Sequence, residues 1–137
     1  QTALREPLKA IDMVNAYSHA GSAAKPSYPG PGTWLHGASR ALMRRVQAGQ
    51  PAQNLFHHDF GVCDRYAGGL EAAARVRCPA TLVLGARDQM TSPKQTATIS
   101  AALTAKVPTQ VQTVDAGHAM LAEAPDAVLA ALRRAVA

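Results

Sequence analysis

The sequence predicts an α/β protein, with a helical first half followed by a β-α-β-α unit whose strands are parallel. Three observations lead there. Residues 1–75 carry apolar residues at helical spacing, interrupted by stretches rich in proline and glycine. At Cys78-Pro79 the period changes to a short continuous apolar run, A-T-L-V-L-G. Beyond it, V-P-T-Q-V-Q-T-V alternates and is rich in Val and Thr, and each of these two runs is followed by a segment that opens on proline like a helix.

In chain order, Leu4, Leu8, Ile11 with Val14 or Ala10, and Tyr17 form the stripe of a first amphipathic helix. Residues 21–32, G-S-A-A-K-P-S-Y-P-G-P-G, read as a loop, either a hinge or a passive connection. A second helix runs from Thr33 as N-cap to Gln47, with Trp34, Leu35, Ala38, Leu42 and Val46 on one face. Leu55, Phe56, Phe60, Val62 and Tyr66 outline a short third helix interrupted at Gly61, and L-E-A-A-A-R-V adds a turn or two. The first strand follows Pro79 and reads as buried on both faces. Ser92 and Pro93 start the next helix, the alternating run is the second strand, and Pro125 opens the last helix, whose final turns hold Arg133 and Arg134. Two such strands joined through a helix make a right-handed crossover.

A chain of 137 residues with 47% hydrophobic residues has the size of one ordinary domain and enough apolar surface for a core. No apolar run is long enough to cross a bilayer, so no membrane partner is expected. The charge of +5 leans toward the first half, where residues 1–79 hold nine Lys/Arg against five acids. The basic residues come as pairs, Arg44-Arg45 and Arg133-Arg134, without the long stripe or interleaved aromatics of a nucleic-acid reader, so no nucleic-acid partner is expected. Cys63 and Cys78 suit one bridge or two reduced thiols, and reduced thiols lead to an expected cytoplasmic location. His57-His58-Asp59 with Cys63 offers metal-binding side chains, but adjacent helical residues point about 100° apart. The better reading gives one histidine a pocket and the other solvent, with no metal.

The chemistry gathers where the two strands end. Asp88 follows T-L-V-L-G and His118 follows T-V-D-A-G. Adjacent parallel strands bring both residues to the carboxyl edge of the sheet, where open α/β folds bind ligands. There an aspartate accepts the imidazole Nδ1–H, fixes the tautomer and leaves Nε2 free as a base.

These residues also carry a resemblance. Residues 76–136, with Gly85-Ala86-Arg87-Asp88, Gly117-His118 and the downstream Glu123, Pro125 and Val128, resemble the C-terminal part of the α/β-hydrolase fold superfamily. The resemblance implies that Asp88 and His118 are the acid and histidine of a catalytic triad. It implies that residues 1–75 are a helical cap or lid and that residues 76–137 are the last part of the hydrolase core. It further implies an ester or related carbonyl substrate and no cofactor. Some members catalyse haloperoxidase-like or lyase-like reactions instead. Trp34, Phe56, Met90 and Met120 are candidate substrate-pocket residues, beside the plainer reading that they pack a core.

The family's nucleophile sits in G-x-S-x-G on a strand-to-helix elbow, and the 137 residues contain no such string. Gly37-Ala38-Ser39-Arg40-Ala41 comes nearest, but inside an amphipathic helix, and Ser18, Ser22, Ser27, Ser92 and Ser100 lack the context too. The serine and the oxyanion donors are therefore expected outside this sequence, with the chain inactive alone and its partner the N-terminal part of the hydrolase core. The other reading is a non-catalytic helical module that self-associates through an exposed sheet edge or core surface.

Overall fold

A computed structural model describes residues 1–137 apart from the side chain of Ser22, so that one of the serines weighed above lies outside the described residues. The chain divides into two compact units, Gln1–Tyr66 and Ala67–Ala137.

The first unit is helical: α1 (Thr2–Arg5), α2 (Pro7–Ser18), a 3-10 turn (Gly21–Ala24), α3 (Leu35–Ala48) and α4 (Leu55–Arg65). The first helix expected from the periodicity is two helices. Pro7 has no N–H and pushes the residue before it out of the helical region, so Glu6 stands at φ −138° and ψ 65° and Pro7 restarts the chain at the first position of α2. The expected stripe also differs. Leu4, Leu8 and Tyr17 are exposed, while Ala10, Ile11, Asn15 and Ser18 face inward.

That choice is made by polar groups that find partners. The Asn15 amide donates to the Ile11 carbonyl at 2.9 Å and to Met43 Sδ at 3.3 Å, and the Ser18 hydroxyl donates to the Val14 carbonyl at 2.8 Å. Asp12 of α2 accepts from Arg40 at 2.7 Å and lies 3.6 Å from Arg44, both on α3. The polar side of α3 thus meets α2, and Leu42 and Val46 are left half exposed. With Met43, Leu55, Phe56 and Phe60 they line an apolar groove of ≈ 330 Å³.

Thr33 is not the cap of α3. Its hydroxyl closes a turn on the Gly30 carbonyl at 2.6 Å, and Trp34 stands at the N-cap. Asn54 caps α4, accepting from the His57 N–H at 3.0 Å and donating to the Ala3 carbonyl at 2.6 Å. Gly61 lies within α4 and does not interrupt it.

The second unit runs α5 (Gly69–Ala74), β1 (Ala80–Gly85), α6 (Ala97–Thr104), β2 (Thr109–Val114), α7 (Met120–Glu123) and α8 (Pro125–Val136). It is a small α/β arrangement with a two-stranded parallel sheet. β1 and β2 pair in register from Ala80 with Thr109 to Gly85 with Val114. α8 packs on both strands, α6 on β2, and α5 on α6. The core is small and alanine-rich: Ala73, Leu103, Val114, Ala116, Val128 and Ala131 are buried.

β1 is not buried on both faces. Ala80 to Leu84 are half-buried, because among the described residues β2 alone pairs with it. The regular part of α6 starts at Ala97, although the chain already turns at Ser92, whose carbonyl accepts from Gln95 and Thr96.

Candidate active site

Past β1 and β2 the two chain segments remain stitched together. The Ala86 N–H donates to the Val114 carbonyl at 2.8 Å and the Arg87 N–H to the Ala116 carbonyl at 3.0 Å. The Arg87 guanidinium closes the pair from outside, 2.9 Å from the Asp115 carboxylate. Gly85 makes this approach possible. A Cβ there would lie 2.8 Å from the Ala116 carbonyl oxygen and closer still to that of Gly117. The buried Gly117 N–H is in turn held by the Glu123 carboxylate at 3.1 Å.

Beyond these stitches stand Asp88 and His118, thirty positions apart and joined by a 2.9 Å hydrogen bond between Nδ1 and Oδ2. The Asp88 side chain is 3% exposed and that of His118 is 41% exposed. The carboxylate is well supplied with donors. Oδ1 accepts from the Met90 N–H at 2.8 Å and the Thr91 N–H at 2.9 Å, and Oδ2 accepts from the Thr91 hydroxyl at 3.0 Å as well as from His118.

Burial pushes the Asp88 carboxyl upward, but the hydrogen bonds from the Thr91 backbone, His118, the Met90 backbone and the Thr91 hydroxyl outweigh it. The group is held below the usual carboxylate range and stays ionised. An ionised carboxylate only accepts, so the imidazole proton that it binds is on Nδ1. Nε2 then carries a lone pair on a ring that reaches solvent. An imidazole so placed can act chemically as a general base, with a buried anion behind it to stabilise the imidazolium.

Met90 adjoins the pair through its backbone and is half-buried, and Met120 opens α7 two residues after His118. The two aromatic candidates belong to the other unit. Trp34 lies against Gly37 and edge-on to His36, and its indole N–H donates to the Ala24 carbonyl at 3.2 Å. The Phe56 ring lies tilted against that of Phe60, with centroids 4.8 Å apart, in the apolar groove. Ser39 lies in the body of α3. His57 and His58 are exposed on α4, and among the described residues no three His, Cys, Asp or Glu side chains gather as a metal-binding set.

Thr91 is the site residue that the sequence reading missed. The available signal was the spacing D-Q-M-T, since an aspartate followed three positions later by threonine is the pattern of a side-chain-capped turn. Among the described residues, no helix is long and apolar enough to cross a membrane. Comparison with known proteins yields no family model that matches the chain, and no significant match among curated proteins or solved structures.

Proposed function

We propose that this chain is the C-terminal part of a serine-type α/β-hydrolase acting on an ester or related carbonyl substrate. His118 is the general base and acid, Asp88 orients it and balances its charge, and the nucleophilic serine with its oxyanion donors lies on a segment outside this sequence. The helical unit Gln1–Tyr66 acts as the cap, and α5 goes with the core part. The single observation that carries the reading is the 2.9 Å bond from His118 Nδ1 to a buried, ionised Asp88 at the ends of adjacent parallel strands. The placement and tautomer suit proton transfer from an alcohol.

Strand composition supports the missing neighbour. β1 is a nearly unbroken apolar run that is only half-buried, whereas β2 alternates with exposed Gln110. A strand like β1 suits the interior of a larger parallel sheet. Two exposed, unbridged cysteines, Cys63 and Cys78, favour a reducing, cytoplasmic setting. No cofactor is called for by this chemistry.

The test is hydrolysis of p-nitrophenyl butyrate by the chain alone and by the chain joined to the segment bearing the serine. Turnover is expected only in the joined form and is abolished by His118→Ala. Unchanged turnover in that variant overturns the assignment.

A second reading has its own observation. Val111, Leu121, Leu129 and Leu132 are exposed in the second unit. A non-catalytic module that self-associates through such exposed apolar side chains predicts dimers or larger species in sedimentation. A monomer at high micromolar concentration removes that reading.

A further inference from the structure

We propose that Thr91 is a positioning residue for the Asp88–His118 pair: its hydroxyl holds the carboxylate oxygen that receives the imidazole proton, and so decides which ring nitrogen is left free. The inference rests on the hydrolase reading of that pair and adds to it a residue that acts through Asp88.

The geometry separates two tasks within one turn. Oδ1 of Asp88 is pinned by two backbone donors, from Met90 and Thr91, and these would serve as well with any side chain at position 91. Rotation about the Cβ–Cγ bond moves both oxygens together, so two bonds at Oδ1 restrain Oδ2 only indirectly, and a donor on Oδ2 itself sets the plane of the carboxylate. His118 bonds Oδ2, but it is the partner whose protons the reaction moves, so it is a poor anchor. The Thr91 hydroxyl, 3.0 Å from Oδ2, supplies the fixed one. The neighbouring cation, Arg87, is engaged by Asp115.

The same hydroxyl lies 3.3 Å from His118 Nδ1. With its proton given to Oδ2, its oxygen presents a lone pair to Nδ1, an arrangement that tolerates Nδ1–H and disfavours a bare Nδ1. Turning the hydroxyl toward an unprotonated Nδ1 exchanges a bond to a carboxylate for a weaker one to a neutral nitrogen. It also leaves Oδ2 facing a lone pair. Thr91 therefore works against the tautomer in which Nε2 carries the proton, the form that could not act as base.

The experiment is nuclear magnetic resonance on the isotope-labelled full chain, for the wild type, Thr91→Val, Thr91→Ala and Thr91→Ser. Long-range proton–nitrogen spectra in mildly alkaline buffer read the His118 tautomer. Carbon spectra read the acid midpoint of the Asp88 carboxyl. Thr91 is exposed and keeps its backbone N–H in each variant, so the fold is retained.

The wild type is expected to hold the proton on Nδ1. Valine and alanine raise the share of the other tautomer roughly fivefold and move the Asp88 midpoint up by about one pH unit, and serine restores both. Hydroxyl-free variants that match the wild type in both readings overturn the role of Thr91 and leave the hydrolase reading intact. A serine variant that restores neither overturns it as well, since the effect then belongs to the threonine methyl. A wild-type His118 with its proton on Nε2 overturns the hydrolase reading itself.

Discussion

The α-carbon of Gly85 faces the carbonyl of Gly117 across a gap that holds no methyl group, and the candidate site exists because of that gap. Backbone on both sides leaves nothing flexible to yield. Gly85→Ala is therefore expected to push the 116–117 turn away and to lower stability by about 1–3 kcal/mol. Urea denaturation gives the loss. In the folded variant, the resonance of the Nδ1 proton of His118 is expected to broaden or vanish as its bond to Asp88 lengthens.

Glu123 acts on the same turn from the helical side, through its bond to the buried Gly117 N–H. Removing the carboxylate in Glu123→Ala leaves that donor without its acceptor, at a cost of about 1–3 kcal/mol. Glu123→Gln keeps an oxygen in place and is expected to cost less. Equal losses in the two variants, measured by thermal melting, would show that the contact is packing rather than hydrogen bonding.

Asp88 makes stability depend on acid in a defined direction. Its folded carboxyl ionises below the usual range, so near the unfolded value of about 3.9 the unfolded chain binds more protons than the folded one. The contribution is complete above that value and is lost as pH falls through the lower folded value. Asp88→Asn is expected to shrink the difference in unfolding free energy between about pH 7 and pH 3. It also presents an N–H toward Nδ1, which moves the His118 proton to Nε2. An acid profile unchanged from the wild type would contradict the assignment of this carboxylate.

The Arg87–Asp115 pair invites more weight than it carries. Its side chains are 45% and 84% exposed, so water and salt screen the attraction. Arg87→Ala is expected to cost at most about 1 kcal/mol, because the Arg87 N–H still binds the Ala116 carbonyl. The loss should fade in high salt, and a salt-independent loss larger than this would place the stabilisation elsewhere.

In the helical unit, Asn54 has two tasks, capping α4 and holding the carbonyl of Ala3. Asn54→Ala is expected to lower stability by about 1–2 kcal/mol, while Asn54→Asp restores the cap but not the bond to Ala3. Hydrogen exchange at His57 reports the cap, and exchange in α1 reports the other bond.

What could be read in the sequence was whatever local chemistry determines. Pro79 and Pro125 mark element starts, whereas the helix expected from Pro93 becomes regular only at Ala97, and short motifs at two strand ends led to Asp88 and His118. Pro7 carried the same kind of signal against one continuous first helix. The inward face of α2 was harder, because Asn15 and Ser18 are buried by virtue of acceptors that include Met43 on another helix, and hydropathy counts both as surface residues. The half-burial of β1 depends on how many strands flank it, which an apolar run does not state. Thr91 was overlooked because threonine after a turn is common, and its meaning comes from a histidine twenty-seven positions away.

The parallel register of β1 and β2, with Gly85 beside Val114, gives the imidazole an office besides chemistry. Sliding one strand by a single residue displaces its end by about 3.3 Å and turns its side chains to the opposite face. A hydrogen bond of 2.9 Å between the residues beyond those ends does not survive such a slip. The Nδ1 proton of His118 is thus a vernier for the whole sheet: one resonance, read far downfield, reports that every rung below it is correctly aligned.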